Sequence, residues 1–165
     1  MSLRFSFPFF LVALLIPTVA KAQEAVAHGD QYSVSPVSQD TVMQPDGGMT
    51  LRSVFRVSQF ADDPNSPFNH LIGYCSGTVV LEEDESAVGA AGGCHMVDSD
   101  GSGYWQWWQT DEGETEECPY WCGTYGDYNG YGKFEGYTGK GTWEIVAVFA
   151  DGSEIGRHRR TVEWK

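Results

Sequence analysis

Residues 126–143 read Gly-Asp-Tyr-Asn-Gly-Tyr-Gly-Lys-Phe-Glu-Gly-Tyr-Thr-Gly-Lys-Gly-Thr-Trp, and this stretch decides the fold. Glycine recurs at positions 126, 130, 132, 136, 139 and 141, with aromatic residues between the glycines. Glycine at this density breaks helices and is typical of tight turns and strand bends, where backbones approach closely. The stretch therefore predicts a packed β-structure, and it carries no motif for a particular reaction.

Strand patterns continue on both sides of the glycine-rich stretch. Residues 143–150 and 153–164 are predicted strands, joined by the hairpin signal Asp151-Gly152. Residues 49–60 alternate apolar and polar side chains, which predicts a strand with one buried face and, across the turn at 46–48, a hairpin partner over 32–44. With a further strand over 71–81, we count about eight short strands and no long helix. This pattern predicts an all-β barrel or sandwich.

The other segments have weaker signals. We expect a frayed terminus over residues 23–30 and a solvated acidic connection over 82–85 that continues as one helical turn through 87–91. The next strand is expected to begin at Cys94, with return strands over 104–110 and 120–125. The turn at 98–101 resembles the start of a calcium loop, but its twelfth position would be Gln109, so a β-turn is the better interpretation.

A family resemblance rests on residues 130–143. They match the form G-x-G-[KR]-[FY]-x-G-x-T-G-x-G-[TS]-[FWY] and resemble the signature of bacterial secreted proteins with the allene-oxide-cyclase-like, or dirigent-like, β-barrel. The resemblance implies a single antiparallel eight-stranded barrel with a central cavity. Plant members include a cyclase of an unstable epoxide and proteins that steer radical coupling. The resemblance also implies a homo-oligomer, because such barrels often assemble.

The N-terminus has the pattern of an export signal. Arg4 precedes an apolar run, and Ala20-Lys21-Ala22 places small residues at the −3 and −1 positions of a cleavage site. The run is shorter than the roughly 20 apolar residues that span a bilayer. We therefore expect residues 1–22 to be a signal peptide and residues 23–165 to be one barrel domain, secreted or periplasmic, with no membrane span in the mature chain.

The charge narrows the choice of partners. The formal net charge is −13 at pH 7, which disfavours nucleic acid and anionic membranes and leaves neutral or cationic small molecules as ligands. No phosphate loop, dinucleotide fingerprint or zinc-peptidase motif occurs in the sequence, and its histidines have no paired metal spacing. We therefore expect no metal site and no cofactor.

Four cysteines point to two disulfides in an exported domain. Cys75, Cys94, Cys118 and Cys122 allow three pairings. We favour Cys75–Cys94, which would tie two neighbouring strands, and Cys118–Cys122, which would close a tight loop. A thiolate metal site is the alternative, but the sequence contains just one close cysteine pair.

Aromatic residues are the first candidates for a binding site. On a strand, Trp105 and Trp107 share one face while Tyr104 and Trp108 share the other. Core packing is the simplest interpretation, but with tryptophan on both faces at least one indole is expected at a surface. Sugar rings and flat hydrophobic ligands both stack on indole. The predicted ligand-binding residues are Trp105, Trp107, Tyr125 and Trp143.

Polar residues on the last two strands are the second candidates. Glu144 or His158 inside an apolar barrel could serve as a general acid or base with a shifted pKa. The competing interpretation is that the neighbouring arginines, at 157, 159 and 160, form exposed ion pairs.

Three functions are compatible with this sequence. The first is a secreted barrel that binds a small hydrophobic or ring-shaped ligand in an aromatic-lined cavity or rim, which would not be an enzyme. The second is a cofactor-free cyclase or isomerase that acts inside the barrel. The third is a structural envelope protein without a ligand. A cavity of roughly 300 Å³ or more would favour the first two.

Overall fold

The strands close into a barrel. The computed structural model describes residues 26–84, 86–110, 118 and 120–165. The elements in this part of the chain are β1 (Val26–Met43), β2 (Met49–Ala61), β3 (Leu71–Leu81), β4 (Ala87–Val97), β5 (Gly103–Thr110), β6 (Cys122–Tyr131), a 3-10 turn (Gly132–Phe134), β7 (Tyr137–Val148) and β8 (Glu154–Trp164). Each strand pairs with the next in antiparallel register, and β8 pairs with β1. The predicted all-β, eight-stranded antiparallel barrel is therefore confirmed.

Side chains alternate between the barrel interior and its outer surface. On β2, Leu51, Phe55 and Val57 face inward as the sequence period predicts, while Arg52 and Arg56 are exposed. On β8, His158 and Arg160 are buried between exposed neighbours. This period of two is what gives a small barrel an interior filled by one face of every strand.

One end of the barrel is plugged by aromatic side chains. Phe68, from the β2–β3 connection, and Phe134, from the 3-10 turn, are fully buried and lie 5.7 Å apart between ring centroids. The glycine-rich stretch builds this plug, since Gly132 and Gly136 have positive φ angles of 64° and 77° that turn the chain between β6 and β7. We call this the closed end.

Four local predictions were wrong. Strand β7 runs from Tyr137 to Val148, so it begins six residues before the start expected at 143. Residues 87–91 belong to β4 and pair with β3 on one side and partly with β5 on the other, so tertiary pairing overrides their alanine-rich helix propensity. Strand β1 begins at Val26 within the segment expected to fray, because β8 is available to pair with it. Strand β6 continues from Cys122 to Tyr131, past the end expected at residue 125.

Both favoured disulfides are present. Cys75 and Cys94 face each other across β3 and β4, and Cys118 joins Cys122 at the start of β6. A disulfide typically adds about 2–4 kcal/mol of stability, with the smaller values for short loops. The expected signal peptide lies outside the described residues. Within the described part of the chain, no helix has the length and apolarity needed to cross a membrane.

Candidate functional site

An open cavity of about 380 Å³ occupies the half of the barrel away from the aromatic plug. It opens between the β1–β2, β3–β4, β5–β6 and β7–β8 connections, which we call the open end. Its walls are mostly apolar inward-facing side chains from every strand except β6, together with Trp121 just before β6. The lining rings are Tyr32, Phe55, Trp108, Trp121, Trp143 and His158. This volume and lining are typical of a site for a small organic molecule.

Two tryptophans shape the wall of the cavity. Trp108 and Trp143 meet edge to face with ring centroids 6.1 Å apart. Trp143 donates its indole N–H to the backbone oxygens of Gln109 and Thr124, at 3.2 Å each, so its ring is fixed. The Trp108 Nε1 atom is buried and has no hydrogen-bond partner within the described residues. A buried donor without a partner is costly, and because this atom has no accessible surface, a ligand in the cavity does not reach it.

Trp108 packs directly against the backbone of two glycines. A Cβ atom on Gly77 of β3 would overlap the Trp108 ring, and so would one on Gly92 of β4. The two glycines therefore allow a large indole to lie across the inner surface of neighbouring strands.

His158 forms the floor of the cavity. Its ring lies between those of Tyr32 and Tyr125, at centroid distances of 4.4 and 4.7 Å. Burial, and then the positive charge of Arg160, hold the pKa of His158 well below its ordinary value. The imidazole is therefore neutral at pH 7, and it can accept a hydrogen bond from a ligand.

A buried ionic network supports this floor from below. The Arg160 side chain is fully buried, with its Nε 2.6 Å from Asp30 Oδ2 and its Nη1 3.7 Å from Asp127 Oδ2. The same nitrogen, Nη1, donates to the hydroxyls of Tyr104 and Tyr137, at 3.2 and 3.3 Å. One buried cation thus joins β1, β5, β6, β7 and β8.

The carboxylate of Asp127 is held from three sides. It accepts hydrogen bonds from Gln106 Nε2, at 2.8 Å, and from the Tyr137 hydroxyl. Burial raises its pKa above the ordinary value, although Arg160 and both hydrogen bonds act in the opposite direction. Because its charged groups are enclosed between the His158 floor and the aromatic plug, we assign them to the scaffold of the site, and of this network just Gln106 lines the cavity.

A second titratable group lies at the cavity. Glu154, at the start of β8, lines the open end, and burial raises the pKa of its carboxyl. His158 and Glu154 are thus two titratable groups in one apolar cavity, and they can position a polar ligand.

The structure separates the residues predicted for the site. Trp143 and His158 line the cavity, and Tyr125 is buried behind His158 without lining it. Trp105 and Trp107 are on the outer surface of β5, with 44% and 43% of each residue exposed. They therefore cannot provide stacking surface inside the barrel, although an outer surface was also expected to carry tryptophan.

Glu144 is likewise outside the cavity. Its neighbours Trp143 and Ile145 line the cavity, so the alternation of β7 turns Glu144 outward, in register with the exposed Arg157. The hypothesis that Glu144 acts inside the barrel is wrong for this reason. From the interior, the Tyr32 hydroxyl donates a hydrogen bond to the backbone oxygen of Glu144, at 3.3 Å.

Sequence reasoning missed part of the site. Trp108 was placed on the face opposite Trp105 and Trp107, but nothing indicated that its face was the inner one. Arg160 was expected in an exposed ion pair, whereas it is fully buried. The sequence did contain a signal for this burial. Arg160 is two residues after His158 on the same strand, so the two side chains are on one strand face and share an environment.

The protein is a closed antiparallel barrel with an apolar cavity that is open at one end. No family model matches the chain, and no curated protein matches it. Among solved structures, the chain is similar to a pterocarpan synthase dirigent protein, with a TM-score of 0.51 and 16% sequence identity over 92% of this chain and 96% of that one. The chain has the dirigent-like barrel fold, as the resemblance at residues 130–143 implied.

Proposed function

We propose that the protein is an exported barrel that binds a small hydrophobic, ring-containing molecule in its open-end cavity. The observation that carries this proposal is the cavity itself, about 380 Å³ of largely apolar space walled by Trp108 and Trp143. The ligand needs a flat apolar body for the indoles and at least one polar atom. His158 and Glu154, which both line the cavity, offer polar contacts to such an atom.

Export is part of this proposal. Residues 1–22 carry the signal-peptide pattern, and two disulfides are typical of proteins outside the reducing cytosol. In this proposal the mature domain, residues 23–165, works in a periplasm or outside the cell, and its formal charge supports a neutral ligand over an anionic one.

Neighbouring valines on β3 provide the test of binding. Val79 lines the cavity, whereas Val80 is on the outer surface and 40% exposed. A panel of aromatic metabolites, lipids and sugars is titrated against wild-type protein by tryptophan fluorescence, and the best ligand is measured by calorimetry. Val79→Trp should fill the cavity and weaken binding at least tenfold, while Val80→Trp should leave the Kd unchanged. Equal Kd values for both variants, or no ligand in the panel, would remove the support for this site.

A cofactor-free cyclase or isomerase is the second candidate. The observation that favours it is His158, a neutral imidazole at the floor of an apolar cavity with Glu154 above it. In this case a bound compound should emerge as an isomer, and His158→Gln should abolish turnover with less than a tenfold change in binding. Mass spectrometry and chromatography of the recovered ligand separate the two functions, since a pure binding protein returns the compound unchanged.

A structural envelope protein without a ligand has the least support. That function expects a filled interior, and the open half of this barrel is not filled.

A further inference from the structure

A second aromatic surface lies on the outside of the barrel, away from the cavity. It covers the outer face of β3 to β6, and its tyrosines and tryptophans are substantially exposed, from 37% for Tyr131 to 58% for Tyr74, while His95 is half-buried. We call it the outer aromatic platform. Its members are Tyr74, His95, Trp105, Trp107, Tyr128 and Tyr131. Exposed aromatic surface of this extent marks a binding function, and the proposed cavity ligand does not use it.

The platform is ordered by the strand register. Tyr74, His95, Trp105 and Tyr128 are direct cross-strand neighbours on four consecutive strands. The His95 ring stacks on Trp105 with centroids 4.3 Å apart and planes 13° apart. His95 Nε2 also hydrogen-bonds the Tyr131 hydroxyl, at 2.8 Å. The rings are therefore held in place before any ligand arrives.

Trp107 packs over a glycine of the barrel wall. Its register neighbours are Gly93 and Gly126, which have no side chains to hold the indole upright. A Cβ atom on Gly126 would approach three atoms of the Trp107 ring, and Gly126 is buried although its position faces outward. The indole thus covers Gly126, while 43% of Trp107 stays exposed to solvent and open to a ligand.

We propose that the outer aromatic platform binds a neutral, extended polysaccharide. Strands are about 4.8 Å apart, so the two-strand step from Tyr74 to Trp105 is about 10 Å, which is the separation of alternate sugar rings in an extended β-linked glycan. All platform rings carry a polar atom, so they can contact both the apolar face and the hydroxyls of a sugar.

Charge distinguishes this ligand from a second copy of the chain. Each copy carries a formal net charge of −13, so two copies repel each other, whereas a neutral glycan does not. None of the platform side chains is a carboxylate, and Arg56 lies over the Tyr74 ring at 5.4 Å. The acidic runs at 82–85 and 111–117 lie in sequence between strands.

Affinity electrophoresis tests the proposal with hydroxyethylcellulose, glycol chitin and xylan in the gel. We expect at least one of them to retard the wild-type protein. Trp105→Leu combined with Trp107→Leu should reduce the retardation at least tenfold, while Trp105→Phe, which keeps a stacking ring, should preserve most of it. Val79→Trp, which fills the cavity, should leave it unchanged.

Three results would overturn the proposal. The first is that none of the polysaccharides retards the protein. The second is that leucine at both positions binds as well as wild type. The third is a wild-type oligomer, seen by analytical ultracentrifugation, that the double leucine variant converts to a monomer, because the platform would then be occupied by a second copy. Circular dichroism of each variant confirms that the barrel is folded.

Discussion

At the scale of single residues, the molecule depends most on a cation that is out of reach of water. Arg160 is 1% exposed and lies between Asp30 and Asp127. A buried ion pair adds little net stability compared with apolar residues, but removal of one partner leaves an uncompensated buried charge. The cation therefore matters chiefly because the two carboxylates are already there.

We expect Arg160→Met to destabilise the barrel by about 3–5 kcal/mol, because it leaves buried carboxylates without a cation. Urea unfolding at pH 7, followed by circular dichroism, gives the free energy. Arg159→Met is the matched control on the same strand, since its side chain is exposed, and it should cost no more than about 0.5 kcal/mol. Similar losses for the two variants would show that the buried network is unimportant for stability.

The neutral His158 should make stability depend on pH. Its folded pKa is well below the unfolded value of about 6.5, because burial and Arg160 disfavour the imidazolium. The unfolded state therefore binds more protons below pH 6.5. Stability should be complete above that pH and fall by up to about 1.4 kcal/mol per pH unit as the pH decreases further.

His158→Gln should remove this part of the pH dependence. Unfolding free energies measured between pH 7.5 and 5.5 should fall less steeply for the variant than for wild type. The raised pKa of Asp127 has the opposite effect on stability, because the folded state binds this proton at a higher pH than the unfolded state does. The range near pH 4 is therefore left out of the comparison. Parallel curves would mean that His158 does not resist protonation.

At the scale of elements, β5 shows how far the sequence could predict the site. Its period of two was clear, but Gln106 shares a face with Tyr104 and Trp108, while the opposite face carries Trp105 and Trp107. By residue type alone, the face with two indoles looks no less apolar than the face with glutamine. The buried hydrogen bond from Gln106 to Asp127 explains why the face with glutamine is the inner one. It joins two strands whose pairing the sequence does not show.

Other elements were predictable because their signals are local. The turns at 46–48 and 151–152, the strand over Leu71–Leu81 and both disulfide pairs follow from residues close in sequence. The strand over 87–91 was missed because β4 has few β-branched residues, and its conformation comes from pairing with β3 and β5. Barrel closure depends on the pairing of β1 with β8. This contact is non-local, and the family resemblance predicted it where the local sequence pattern did not.

The glycines of β3 and β4 give a prediction at the same scale. Gly77→Ala should push Trp108 into the cavity, since the added Cβ overlaps its ring. We expect a loss of about 1–3 kcal/mol in stability, with a shift in tryptophan emission. Gly89→Ala is the control, because among the described residues a Cβ there meets only Thr110 Oγ1, at 3.7 Å. If Gly77→Ala behaves like Gly89→Ala, the cavity wall is more adaptable than its packing indicates.

At the scale of the whole molecule, the barrel has two unequal halves. The closed end contains the aromatic plug, where Phe134 stacks on Trp164 with centroids 6.3 Å apart, and the ionic network lies directly above it. The open end encloses the cavity. The densely packed half is rigid and can hold the cavity in the other half open against hydrophobic collapse.

This asymmetry should appear in amide hydrogen exchange along one strand. The half of β8 from His158 to Trp164 packs on the network and the plug, whereas the half beginning at Glu154 borders the cavity and has fewer partners. Because local opening is easiest where buried contacts are few, amides near Glu154 should exchange at least tenfold faster than those near Arg160. Mass spectrometry of overlapping peptides, or NMR, measures both rates in the free protein. Uniform protection along β8 would contradict the two-half description, since both ends would then open together with the whole barrel.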